Sequence, residues 1–170
     1  MGRKVALGGI LTAISIIFLY LAVYLPSAKL TMYFLAGIIP GFILVEMGAR
    51  QAWLLYFATS MLSFLVLGNL VNAVPYIFIF GMYPLIKYYI EKTRNMFIEL
   101  TLKLLFFNMA SLAVYFICTR VFLINIKMAF PIAWLVLGLQ LVFLAYDYVF
   151  TRVVFYYWDK IRVYWRKEVR

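Results

Sequence analysis

The residues of this chain that could do ionic or acid–base chemistry are few, and three pairs of opposite charge stand out among them. Glu99 and Lys103 stand four apart, with Glu first, the order that lets two side chains meet on one helical face. Glu46 and Arg50 repeat that spacing, and Asp147 precedes Arg152 by five. Such pairs can neutralise one another, tie elements together, or hand on a proton. Other chemistry has little to work with. The chain has no His, the commonest general base and transition-metal ligand. Its one Cys, Cys118, excludes an internal disulfide. No Ser sits in a nucleophile-elbow pattern and no Gly-rich phosphate loop is present. No catalytic group, metal site or cofactor is expected, so the chain is not read as an enzyme.

The elements that must position these residues follow from composition. Of 170 residues, 68% are hydrophobic and 13% charged, with a mean hydropathy of +1.01. A soluble domain is nearer half apolar and could not coat itself with so little polar surface. A lipid bilayer removes that difficulty, and an all-α, polytopic membrane protein is the expected class. The net charge of +10 is not placed for nucleic acid. Lys160, Arg162, Arg166, Lys167 and Arg170 crowd the C-terminus, and most other basic residues end apolar runs, where they fix orientation and meet anionic lipid.

A helix needs about 20 apolar residues to cross a hydrocarbon core of about 30 Å. Runs at about 5–25, 30–48, 97–123 and 130–152 each supply one crossing. Residues 51–86 are charge-free over 36 positions, about 54 Å as one helix and too long for a bilayer. A break at Gly68 to Asn72, just before Pro75, divides them into spans of about 51–68 and 73–90. The expectation is one transmembrane domain over 1–170, a six-helix bundle with both termini cytoplasmic and a basic tail at 153–170. With that topology twelve basic residues lie inside and three (Lys29, Arg120, Lys127) outside, as the positive-inside rule asks. The expected location is the cell (plasma) membrane of a bacterium, with multiple crossings. The first apolar run is too long for a signal-peptide core and is read as a retained span.

Within that frame, Glu46, Arg50, Glu99, Lys103, Asp147 and Arg152 all fall in the inner third. They are read as one charge-balanced network that joins helices and pins depth; a relay would need a charge nearer the midplane. In the outer half, Tyr33, Asn69, Asn72, Arg120 and Trp134 either line a small ligand cavity or supply ordinary interfacial polarity. Gly37-Ile38-Ile39-Pro40 and Gly81-Met82-Tyr83-Pro84 share a Gly-x-x-Pro pattern. Each is a packing kink or a cavity-lining opening, and the kink is preferred. Gly8, Gly9, Thr12 and Ala13 form a small-residue face on the first span. It packs inside the bundle or docks a separate subunit.

The cytoplasmic Arg3-Lys4 leading into Val5-Ala6-Leu7-Gly8-Gly9-Ile10-Leu11-Thr12-Ala13-Ile14 resembles the start of the substrate-binding S components of energy-coupling-factor (ECF) vitamin transporters. The resemblance covers the first span and the overall plan. It implies small-molecule uptake from outside, powered by two ATPases and mediated by a transmembrane T component. It also implies that Gly9 and Ala13 stand where that family docks its T component. Substrates of that family bind beneath the loop joining spans one and two, which here is only about 26–29. The segment Phe80-Gly81-Met82-Tyr83-Pro84-Leu85-Ile86-Lys87 is similar to one in uncharacterised Gram-positive membrane proteins of this plan. The competing class is a membrane scaffold or interaction protein, such as a component of the rod-shape (cell-elongation) machinery.

Overall fold

A computed structural model describes residues 2–93, 95–123 and 132–161, and among these every regular element is helical. The chain forms two compact units, Met1–Asn125 and Ile126–Arg170. Among the described residues the first holds six α-helices and the second one.

In the first unit, α1 (Gly2–Tyr24) gives way to a tight turn at Pro26–Ala28, and α2 (Lys29–Met47) returns alongside it. Gly48, at φ 93°, reverses the chain in a backbone region that other residues avoid. The next helix, α3 (Ala49–Val66), packs on both α1 and α2. The long charge-free run then breaks where turn chemistry placed the break. Gly68 takes φ 64°, and the Asn69 side chain accepts from the Val71 N–H as the N-cap of α4 (Leu70–Pro75). A wide π turn, Tyr76–Phe80, separates α4 from α5 (Tyr83–Ile90), and a short turn at Glu91–Thr93 follows. Asn95 then caps α6 (Met96–Phe116) through the Phe97 N–H, and α6 runs into a second π turn at Ile117–Val121.

The second unit is α7 (Ile132–Tyr156), prolonged by a π turn at Tyr157–Ile161. Helix therefore continues into the segment expected to be a tail. Residues 162–170, Lys127 and the expected start of the last span at 130 lie outside the described residues.

Among the described residues five stretches are long and apolar enough to cross a membrane: Val5–Tyr24, Pro26–Met47, Leu70–Thr93, Met96–Val121 and Trp134–Asp159. The expected third span, α3, is 18 residues long, about 27 Å at helical rise. It falls short in composition because Arg50 and Gln51 open it and Thr59, Ser60 and Ser63 interrupt it. The placement of those groups is informative. Thr59, Ser60 and Ser63 are buried, while Leu54, Phe57, Met61 and Leu65 of the same helix are exposed. Polar groups inside and large apolar ones outside is the reverse of a water-soluble helix, and it suits lipid as solvent. The same apolar exterior recurs on α1, α6 and α7. Apolar helices of this length and number are compatible with a multi-pass membrane protein.

Two apolar clusters build the interior of the first unit. One joins Leu19, Ala22, Tyr33, Ala36, Leu67, Ala73 and Tyr76. The other joins Ile39, Ile43, Ala52, Leu55, Tyr56 and Leu85, with Leu11 packed against it. Phe18 touches both.

Candidate functional site

The most irregular backbone in the first unit lies between those clusters. In the turn at Tyr76–Phe80 the Gly81 N–H reaches back five residues to the Tyr76 carbonyl, at 2.7 Å. Pro84 has no N–H to return to the Phe80 carbonyl one turn earlier. The π turn and the proline together loosen the normal ladder, and side chains take up part of it. The Tyr56 hydroxyl donates to the Ile77 carbonyl at 2.8 Å.

Both Gly-x-x-Pro elements meet at this break. A Cβ on Gly37 would stand 2.6 Å from the Phe80 carbonyl oxygen, so only glycine lets α2 approach that backbone. A Cβ on Gly81 would stand 2.7 Å from Cζ of Tyr76, so this glycine makes room for the phenol ring. The two elements are halves of one contact: the glycine of the first faces the residue that precedes the second. Pro40 lies buried within α2 and Pro84 opens α5.

Hydroxyl groups collect at the same level. Ser15, Thr59, Ser63 and Tyr76 are fully buried, and Ser60 nearly so. The Tyr76 hydroxyl is turned towards Thr59, and the Tyr56 and Tyr76 rings lie 6.4 Å apart. Leu11 packs into one apolar cluster and Leu19 into the other. Ser15, midway between them on α1, is therefore level with Thr59, Ser60 and Ser63 on the neighbouring α3. Tyr56, Thr59, Ser60 and Ser63 follow the i, i+3, i+4, i+7 spacing of a single helical face. That stripe is visible in the sequence; the expected sites did not include it.

The charged groups gather elsewhere, where α5 turns into α6. Glu99 binds Lys103 at 2.7 Å, as its spacing suggests. Glu91 joins them: one carboxylate oxygen lies 3.0 Å from the Lys103 ammonium and 2.8 Å from that of Lys87. Both lysines are buried, while Glu91 and Glu99 reach towards the surface. The Lys87 ammonium also lies over the Tyr83 ring. Lys87 and Glu91 were legible as an i, i+4 pair, but in the less favourable Lys-first order and at the edge of an expected loop. Glu46 and Arg50 are exposed near the reversal at Gly48. Asp147 and Arg152 belong to α7 in the second unit, where the Arg152 guanidinium donates to the Tyr148 hydroxyl at 3.1 Å and stacks over its ring.

At the opposite end of the first unit, three of the expected outer residues come together. The Tyr33 hydroxyl donates to the Asn72 carbonyl at 2.6 Å, the Lys29 ammonium donates to the Asn72 side chain at 3.2 Å, and Asn69 caps the same helix. Arg120 is exposed in the π turn that ends α6. Trp134 is exposed near the start of α7, in the second unit.

On α1 the small residues divide between two faces. Thr12 is buried and its hydroxyl donates to the Gly8 carbonyl at 2.9 Å. Gly9 and Ala13 are exposed, and a Cβ on Gly8 or Gly9 would meet nothing within 4 Å.

Compared with protein-family models, curated proteins and solved structures, the chain matches none. Function therefore rests on the geometry described above. Among the described residues no group of three or more His, Cys, Asp or Glu side chains could hold a metal ion.

Proposed function

We propose that this chain is the substrate-binding membrane subunit of a small-molecule uptake system, of the S-component kind, and that α1 carries its docking face. The observation that carries this reading is the outward position of Gly9 and Ala13. Thr12, Ser15, Leu19 and Ala22 turn into the first unit, which leaves Gly9 and Ala13 on the face of α1 that points away from that unit's interior. Without side-chain bulk, another transmembrane helix can approach that strip closely, and dispersion and Cα–H contacts then hold the pair. The partner is a transmembrane T-like component coupled to ATPases. The transported molecule is unnamed.

In this reading the chain crosses a bacterial cell membrane six times with both ends in the cytoplasm. The twelve-to-three distribution of basic residues supports that orientation. The inward polar and outward apolar faces of α3 support counting it as a crossing.

The test uses Gly9→Leu and Ala13→Leu in the full chain, with thermal stability and recovery of the T-like subunit measured on the same preparations. Unchanged stability with lost co-purification supports docking. Unfolding of the purified variants would assign the strip to packing within the bundle. Undiminished partner recovery would remove α1 as the docking face. Loss of rod shape on deletion, with uptake intact, would favour the scaffold class.

A further inference from the structure

Several Ser and Thr hydroxyls in this chain settle onto a carbonyl of their own helix. Thr12 donates to Gly8, Ser63 to Ser60, Thr101 to Phe97 and Thr119 to Tyr115, each within 2.9 Å. This is the usual way for a hydroxyl to be satisfied in apolar surroundings. Ser15, Thr59 and Ser60 do not do so: Tyr76 is turned towards Thr59 and Tyr56 towards Ser60, yet neither these three hydroxyls nor that of Tyr76 reaches a partner within the protein at full hydrogen-bond distance and angle. All four are buried, with exposures of 0%, 0%, 6% and 0%; the three on α1 and α3 lie level between the two apolar clusters, and Tyr76, from the first cluster, turns its hydroxyl towards Thr59. Buried hydroxyls left without partners are costly, and several at one place mark a bound molecule that completes them.

The chemistry of the lining selects the molecule. Each of the four groups is neutral and can both donate and accept. Neither α1 nor α3 carries an acidic residue, and between α4 and α5 there is none either. A cation here would have no counter-charge at mid-depth, which makes an ion an expensive occupant. Enclosure limits the size, and an internal water is stable with about three hydrogen bonds to otherwise unsatisfied groups.

We propose that Ser15, Thr59, Ser60 and Tyr76 form a binding site for water in the middle of the bundle, beside the break at Tyr76–Gly81. Water held there satisfies the hydroxyls of α1 and α3 and links them to the phenol on the irregular segment. The site is independent of the docking role of α1.

The experiment uses the full chain in detergent micelles, with Thr59→Val and Tyr76→Phe as near-isosteric removals of one hydroxyl each. With water bound, each variant lowers the melting temperature by several degrees, because the guest loses a partner. A rise in melting temperature would show hydroxyls that were unsatisfied, and would overturn the site. A direct readout separates water from hydroxyl-to-hydroxyl bonding: water-edited NMR transfer to the Thr59 methyl group, expected in the parent and lost in a Ser15→Ala, Ser60→Ala, Tyr76→Phe variant that keeps Thr59. Absence of transfer in the parent also overturns the site. Replacing sodium by N-methylglucamine should leave the melting temperature unchanged; a sodium-dependent shift would replace water by a cation.

Discussion

Gly37 of α2 and Phe80 of the broken span meet backbone to backbone, with a Cβ on Gly37 placed 2.6 Å from the Phe80 carbonyl oxygen. The hydrogen that Gly37 carries in place of a Cβ points at that oxygen. The same carbonyl is the one that Pro84 cannot serve with an N–H. A Cα–H contact from α2 thus stands in for part of a helix hydrogen bond lost in α5. This explains why a proline-containing break can sit inside the bundle, and why the two Gly-x-x-Pro elements act together.

Gly37→Ala should therefore be among the most damaging single-carbon additions in the protein. The obstruction is backbone, which cannot swing aside, and overpacking of this kind costs about 1–3 kcal/mol. Gly9→Ala, with open space around it, should change stability little. Thermal unfolding of both variants in one detergent checks the contrast; equal effects would mean that α2 has room to retreat.

In the charged cluster, Glu91 is expected to matter more than Glu99. It serves Lys87 and Lys103 together, while Glu99 serves Lys103. Loss of a charge-assisted bond to a buried lysine is worth about 1.5–3 kcal/mol, and Glu91→Gln weakens two. The double variant Glu99→Gln, Lys103→Met should be less unstable than the sum of its single changes, because it removes a pair and leaves Lys87–Glu91 balanced. Strictly additive melting temperatures would mean that Glu99 and Lys103 do not interact.

At the outer end, Asn69→Ala should cost about 1 kcal/mol through loss of the α4 cap. Asn69→Asp should be tolerated, since a carboxylate accepts the same N–H. Tyr33→Phe should cost about 1 kcal/mol by removing the bond to the Asn72 carbonyl. Chemical or thermal unfolding of these three variants tests whether the α2–α4 junction is ordered as described. A destabilising Asn69→Asp would argue against the cap.

Membrane orientation has its own test. In a chain with Cys118 replaced by Ala, single cysteines at Asn72 and Lys127 should react with an impermeant reagent in intact cells. A cysteine at Lys92 should react only after the membrane is opened. Labelling of Lys92 from outside would reverse the proposed topology.

Local chemistry made much of this protein legible in its sequence. Helix formation, the break at Gly68 and Asn69, and the Glu99–Lys103 pair depend on neighbouring residues, because backbone hydrogen bonds, caps and i, i+4 contacts are short in range. The inward direction of each helix was harder to read. In a chain that is apolar on nearly every face, hydrophobic contrast does not mark the core side. Packing alone decided that Thr12 turns inward while Gly9 and Ala13 turn out. Tertiary structure also brought Gly37 to Phe80, Lys87 and Glu91 to Lys103, and Ser15 level with Thr59. Each of these joins residues on different helices, and no local periodicity specifies which helix will be the neighbour.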